Sequence, residues 1–429
     1  MTPITLNSYF LFLKNHFEQL FFGWLLTFFS SFGQTFLISL FVPFILADLV
    51  ISKTEFGTYY ALATVIASLL LLRVGHVIDD RPVRPFTIKS IFLLMGSTFL
   101  LAIVWHPIAL FISLIGLRLG GQGLMSHISM TVMSRHFDKD RGKALSISSL
   151  GFSIGEMVFP LLMGAVITYL GWRYTAGMGV GFLIFFVFIT RWIDIESLDI
   201  KSTKKVAFAT DRTQEAPVAV EIDDEEIVIE NQPDIPIGKR RFYKNMLKEN
   251  RFYILALPSF LLSFTATGFF FYQYILAETR NWDLGLYTLM FTGYGAVRLV
   301  FSLYGGILTD KYSGINIFVY HLIPMGLGAL FLAFLPGYWA AIGFLFMFGV
   351  TVGTSAVVKP AIIAELYGTA RIGQVRSLFT VVMVTSTALA PLIYGYCLDI
   401  GVTFSTLGIV TALLVLLTTL HTFRIYRVI

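Results

Sequence analysis

The stretch Gly116-Leu117-Arg118-Leu119-Gly120-Gly121-Gln122-Gly123-Leu124-Met125-Ser126 sets polar groups at helical spacing inside an otherwise apolar run. Arg118, Gln122 and Ser126 are four residues apart and so share one helix face. The run goes on to Pro160-Leu161-Leu162-Met163-Gly164. A second copy starts at Gly349, 233 residues after Gly116, and reads Gly349-Val350-Thr351-Val352-Gly353-Thr354-Ser355-Ala356-Val357-Val358-Lys359. It closes on Pro391-Leu392-Ile393-Tyr394-Gly395, so Thr351, Ser355 and Lys359 repeat the polar stripe position for position.

Only 13% of the 429 residues are charged and 56% are hydrophobic, with a mean hydropathy of +0.77. An ordinary soluble domain carries about a quarter charged residues, so this composition is that of a membrane protein. Apolar runs of about twenty residues cross a ~30 Å hydrocarbon core as helices, whereas barrel strands would need only about ten alternating residues. Twelve spans are expected, at 17–46, 56–74, 87–105, 108–134, 142–169, 173–194, 251–277, 285–308, 315–335, 338–366, 373–399 and 402–423. Segment 17–46 is too long for the apolar core of a signal peptide and is read as a retained first span. The fold class is therefore an all-α integral membrane protein with twelve transmembrane helices. They form two six-helix repeat halves, residues 1–194 and 251–429, joined by a cytoplasmic linker over 195–250.

With both termini cytoplasmic, 25 of the 31 Lys and Arg residues fall on the inner side, three on the outer side (Lys53, Arg173, Arg280) and three within spans. That asymmetry sets the orientation and accounts for the basic pI of about 9.1 through topology and anionic lipid, with no need of nucleic acid. The linker carries an acidic run, Asp223-Asp224-Glu225-Glu226, and a basic run, Lys239-Arg240-Arg241. Its blocky charge suggests a flexible connection with a short surface helix where the basic run ends. A regulatory or partner-binding role is the alternative. Ser52 and Glu55 have the spacing of a capping box opening span 2.

The repeat reaches beyond the polar stripes. Ser31-Phe32 with Thr35 recurs as Ser263-Phe264 with Thr267, and Gly75 with Asp79 recurs as Gly306 with Asp310, 231 or 232 residues on. A near-constant offset marks two parallel six-helix halves. The inner loops read Gly75-His76-Val77-Ile78-Asp79-Asp80-Arg81-Pro82-Val83-Arg84 and Gly306-Ile307-Leu308-Thr309-Asp310-Lys311-Tyr312-Ser313-Gly314. They resemble the Gly-x-x-x-Asp-Arg-x-Gly-Arg-Arg loop of the major facilitator superfamily, with Asp80 in place of arginine and Pro82 in place of the second glycine. The resemblance covers nearly the whole chain and implies a monomeric transporter that works by alternating access. It implies gating by Gly75, Asp79 and Arg81 against Arg371 or Arg376 at the start of span 11, and by Gly306, Asp310 and Lys311 against Arg141 or Lys143 at the start of span 5. A carboxylate there can meet the positive N-terminus of a neighbouring helix.

An ionisable side chain at mid-membrane costs about 2.5 to 3.5 kcal/mol or more, so it faces a cavity or a partner. Four qualify: Arg118, Glu156, Arg298 and Lys359. With Gln122, Ser126, Thr351, Ser355, Tyr294 and Gln34 they make the candidate solute site, on helices that line the central cavity in the superfamily. Three cations against one carboxylate favour an anionic solute, and arginine suits a bidentate grip on a carboxylate. Glu156, the carboxyl among the four, is the candidate coupling site for a proton. An Arg118 to Glu156 ion pair tying spans 4 and 5 is its structural alternative. For Arg298 no carboxylate lies on its own helix at mid-depth. His127 reads as a hydrogen-bonded rather than a relaying histidine.

The chain has no phosphate-binding Gly-rich loop, no HExxH motif and a single cysteine, Cys397. An enzyme, a metal site and a cofactor are therefore not expected. The leading reading is proton-coupled uptake of an organic anion, a carboxylate or a polycarboxylate such as a siderophore, across a bacterial inner membrane. A proton-coupled exporter of drugs or metabolites is the alternative, although such antiporters carry a Gly-Pro pair in span 5 where this chain separates Gly155 from Pro160. A non-transporting membrane sensor would have no need of polar faces on five helices.

Overall fold

The computed structural model describes residues 6–79, 81–137, 140–199, 239–368 and 372–427. Among the described residues twelve helices are long and apolar enough to cross a membrane. Spans 1 to 6 are Phe17–Leu49, Lys53–Val74, Val83–Ala102, Pro107–His136, Gly142–Leu170 and Trp172–Trp192. Spans 7 to 12 are Asn250–Phe271, Leu284–Thr309, Gly314–Phe334, Gly337–Tyr367, Val375–Asp399 and Phe404–Arg427. No strand occurs among the described residues. Of the linker, the described part includes a short helix, Lys239–Met246. Its Met246 is buried with Phe252 and Phe379, and Tyr243 Oη meets Ser377 Oγ at 3.0 Å.

Local sequence sets the turns. Ser52 Oγ accepts from Glu55 N at 3.1 Å and Glu55 Oε2 accepts from Ser52 N at 2.8 Å, so the capping box opens span 2 at Lys53. Gly171, at φ 77°, takes the left-handed turn between spans 5 and 6 that a side chain would strain. Spans alternate direction between two ends of the bundle. At the linker end Arg84, opening span 3, donates to the carbonyls of Thr190, Arg191 and Ile193 at the close of span 6, at 2.8 to 3.0 Å. At the far end Arg173, opening span 6, pairs with Asp48 of span 1 at 3.2 Å.

The two halves seal against each other at the far end. Asp399, closing span 11, accepts from the backbone and hydroxyl of Thr54 at 2.7 and 2.6 Å and pairs with Lys53 Nζ at 3.4 Å. It therefore caps the N-terminus of span 2 from the other half. Tyr272 Oη lies 2.9 Å from the carbonyl oxygen of Lys53 and 2.8 Å from that of Pro391. Gln273 Nε2 donates to Ser39 Oγ across the same seam at 2.9 Å.

Spans 1 and 7 are interrupted at unlike depths, and span 9 turns at His321-Leu322. Span 1 changes to a 3-10 turn over Ser30–Gly33, Gln34 is extended (φ −90°, ψ 151°), and the helix restarts at Thr35. Span 7 breaks at Tyr272 and continues as Gln273–Thr279. Facing the first break, span 4 widens to a π-helical stretch over Arg118–Met125, a distortion that concentrates at functional sites. Gly33 and Gly121 meet there: a Cβ on Gly121 would sit 2.6 Å from Gly33 Cα.

Candidate functional site

A cavity of about 540 Å³ lies in the second half, lined from spans 7, 8, 10 and 11. It runs from Arg298, midway along span 8, to Arg376 at the linker end of span 11. Lys359 and Ser355 face it from span 10, with Ser263 and Thr267 from span 7 and Thr380 and Thr387 from span 11. Leu262, Phe379 and Met383 give it apolar walls. No carboxylate lines it, and among the described residues none forms an ion pair with Lys359.

At the inner limit of this cavity the two halves join through Arg298 Nη1 and Glu156 Oε2. Glu156 is 4% exposed, and Arg298 also lies over the ring of Phe152, 5.1 Å from its centroid. Tyr294 is buried one turn before Arg298 and packs edge-on to Phe270. The pair joins the halves where spans 5 and 8 pack, beside the Thr292 Oγ1 to Met157 carbonyl bond of 3.0 Å. The ion pair with Arg118 weighed from the sequence is therefore not the one that forms. Helical spacing compares residues within one helix, and the true partner of Glu156 comes from the other half.

Arg118 lies elsewhere. It is 2% exposed and absent from the cavity wall. Its Nη1 donates to the Gly33 carbonyl at 3.2 Å and to Thr35 Oγ1 at 3.5 Å, and the Tyr60 ring covers it at 4.9 Å. Gln34 is buried at the same break. Gln122 and Ser126 are half-buried one and two turns on, and Thr351 is fully buried with its hydroxyl unpartnered. Of the solute residues proposed from the sequence, then, Arg298, Lys359 and Ser355 share the cavity, with Glu156 and Tyr294 behind Arg298. Arg118 and Gln34 form a separate cluster.

Residues 23–287 and 255–427 match the family model of the Major Facilitator Superfamily. The chain belongs to this superfamily. It is a membrane transporter of that superfamily and not an enzyme. Over 305 residues it is 22% identical to the "Probable nitrate transporter NarT" of Staphylococcus epidermidis, covering 69% of this chain and 68% of the relative. The solved structure of the nucleoside transporter NupG superposes with a TM-score of 0.72 at 11% identity, covering 95% of this chain and 99% of that one. A bacterial homolog of the human lysosomal transporter Spinster, inward-facing and occupied, gives 0.68 at 13% identity and 96% of both chains. At such identities the structures establish the shared fold alone.

The superfamily loops are described only in part. Gly75 ends span 2 with its carbonyl 3.0 Å from His127 Nε2, so His127 is hydrogen-bonded. Lys143 pairs with its neighbour Asp140 at 2.8 Å. Arg81 and Lys311 are exposed, Lys311 lying over Tyr312, and Gly306 packs near Val357. Arg376 is exposed on the cavity wall. Arg371 lies outside the described residues, as do the side chains of Asp79, Asp310 and Arg141. Sequence reasoning missed Asp399 and Tyr272 as the far-end clasp. The partner of Asp399, the start of span 2, is 345 residues away in the sequence, where no helical period reaches.

Proposed function

We propose that this transporter carries an organic anion across the membrane by alternating access, in symport with a proton held at Glu156. The observation that carries the reading is Lys359, which has no counter-charge among the described residues and faces a 540 Å³ cavity that Arg298 and Arg376 also line. A cavity with three cations and no lining carboxylate draws anions, and its apolar wall suits a solute with a hydrocarbon body. With the basic loops facing the cytoplasm, the linker end is the inner side, and the sealed far end makes this the inward-open arrangement.

Arg298 couples the two events. A solute carboxylate that takes the guanidinium in a bidentate grip displaces Glu156, and the released carboxylate binds a proton and loses its charge. Neutralising both groups removes the cost of moving them through a dry intermediate. The measurement is thermal shift of the purified protein against mono-, di- and tricarboxylates, nitrate, sugars, amines and hydrophobic cations, followed by uptake into proteoliposomes. A ligand that binds the folded state raises its apparent stability. Stabilisation by carboxylates that Lys359→Gln weakens about tenfold supports the reading, as does loss of the pH dependence of uptake in Glu156→Gln. Stabilisation by hydrophobic cations alone overturns it in favour of an exporter. A second reading, a small inorganic anion, is favoured by the likeness to a nitrate transporter, and stabilisation by nitrate but not by carboxylates would select it.

A further inference from the structure

Arg118 is a buried cation that the central cavity does not use. Its Nε has no hydrogen-bond partner, and among the described residues it has no carboxylate partner. A charge so placed is costly unless something balances it. Beside it begins the far-end part of span 1, Thr35–Leu49, whose first residue lies within 3.5 Å of the guanidinium. That 15-residue helix opens on Gln34, which makes no side-chain cap bond. Its first amides therefore present a second positive end at the same place. A guanidinium and an uncapped helix N-terminus side by side repel each other, and together they form a receptor for an oxyanion.

The place is closed by a lid. Tyr60 covers the guanidinium and its Oη lies 2.7 Å from Thr35 Oγ1. The Tyr60 ring packs against Phe271 of span 7, in the other half, with centroids 4.5 Å apart. Phe271 immediately precedes Tyr272, which contacts the Lys53 and Pro391 carbonyls in the far-end seam. The lid is thus continuous with the seal and must loosen when spans 2 and 7 part.

We infer that Arg118, Thr35 and the first amides of the Thr35–Leu49 helix form a second anion half-site. It takes a planar oxyanion, the chemistry shared by a carboxylate group and nitrate, when the far end opens. The inference rests on the anion reading above and adds to it a division of labour: Arg118 receives the charged group from the far side, and Arg298 with Lys359 holds it on the linker side.

The test uses full-length protein in oriented proteoliposomes, with exchange of labelled benzoate and of nitrate followed separately from each face. Arg118→Lys keeps the charge but loses the fork, and Thr35→Val keeps the shape but loses the hydroxyl. Expected is a rise in half-saturation at the far face of about 10-fold or more for Arg118→Lys, and a few-fold for Thr35→Val, with less than about 2-fold change at the linker face. Lys359→Gln gives the reverse pattern. Equal changes at both faces overturn the inference by making Arg118 part of one central site. No change at either face, with Lys359→Gln still effective, reduces Arg118 to a structural tie across the span 1 break. Should Arg118→Lys fail to fold, Thr35→Val decides, and an unchanged far-face half-saturation overturns the proposal. Failure of Lys359→Gln and Arg298→Lys to alter either face, or no exchange of either anion by the parent protein, removes the anion reading and this inference with it.

Discussion

Spans 4 and 10 occupy equivalent places in the two halves and carry the same polar stripe, yet they put their charge at different depths. Arg118 comes 11 residues after Pro107, about 16 Å along its helix from the far end, whereas Lys359 comes 22 residues after Gly337, about 33 Å along. The repeat mates of the two cations are the uncharged Thr351 and Ser126. Their surroundings differ as well. Lys359 faces a cavity of about 540 Å³ within an unbroken α-helix, while Arg118 opens a π-helical stretch and is sealed under Tyr60. Duplication preserved the scaffold and not the charges, so the two halves hold their cations at different depths and in different surroundings.

The largest test of this comparison strikes the buried ion pair between the halves, Arg298 to Glu156. Arg298→Leu leaves a carboxylate that is 4% exposed without its partner, and stranding one member of a buried pair costs about 3–5 kcal/mol. The thermal midpoint of unfolding in a fixed lipid composition should fall steeply, and the double variant Glu156→Leu/Arg298→Leu should recover most of the loss. A single variant as stable as the parent would mean that Glu156 takes up a proton once its partner is gone and leaves no buried charge.

Much of this was legible in the sequence. Composition and run length gave twelve spans, and the offset between Gly116 and Gly349 gave the halves. The observed spans differ mainly at their ends, as where the Ser52 capping box starts span 2 at Lys53 instead of residue 56. Arg298, Lys359 and Ser355 stood out because a polar group at helical spacing in an apolar run must turn toward a cavity or a partner. The partner of Glu156 was not legible, since pairing across halves obeys no sequence period. The break at Ser30–Gln34 was equally hidden: it contains one glycine and no proline, and the close approach of the Gly33 and Gly121 backbones beside it joins residues 88 apart in the sequence.

That contact supplies the next test. A Cβ at position 121 would lie 2.6 Å from Gly33 N and 2.8 Å from the Ser30 carbonyl oxygen, all backbone that cannot step aside. Its counterpart in the second half is Thr354, buried with a side chain in place. Gly121→Ala should therefore cost about 1–3 kcal/mol of stability, while Thr354→Ala should cost less than about 1 kcal/mol. Unfolding of the two variants side by side measures the difference. Equal losses would mean that span 4 is no more closely packed at Gly121 than span 10 is at Thr354, where it meets Gly305 of span 8, and that the break does not depend on the Gly33 to Gly121 contact.

The smallest expected effect concerns the clasp that holds the first half's cation under its lid. Asp399 is partly exposed, with a side chain 23% accessible, so its pairing with Lys53 is screened and contributes little by itself. Its bonds to the amides of Lys53 and Thr54, at 3.3 and 2.7 Å, are the specific part. Asp399→Asn keeps an acceptor and removes the charge, so far-end opening should become easier by about 1 kcal/mol, or about fivefold. Amide hydrogen exchange at Lys53 and Thr54 reports it, because those two amides donate to Asp399 and are freed when spans 2 and 11 part. Far-face half-saturation should fall in the same variant, since a looser lid exposes Arg118 more often. Exchange that stays at the parent rate would assign the seal to packing instead: Gly57 lies against the Pro391 backbone, and Tyr272 with Gln273 would then hold the seam. In that case the charge on Asp399 sets only the register of spans 2 and 11, and the lid over Arg118 answers to the aromatic contact between Tyr60 and Phe271.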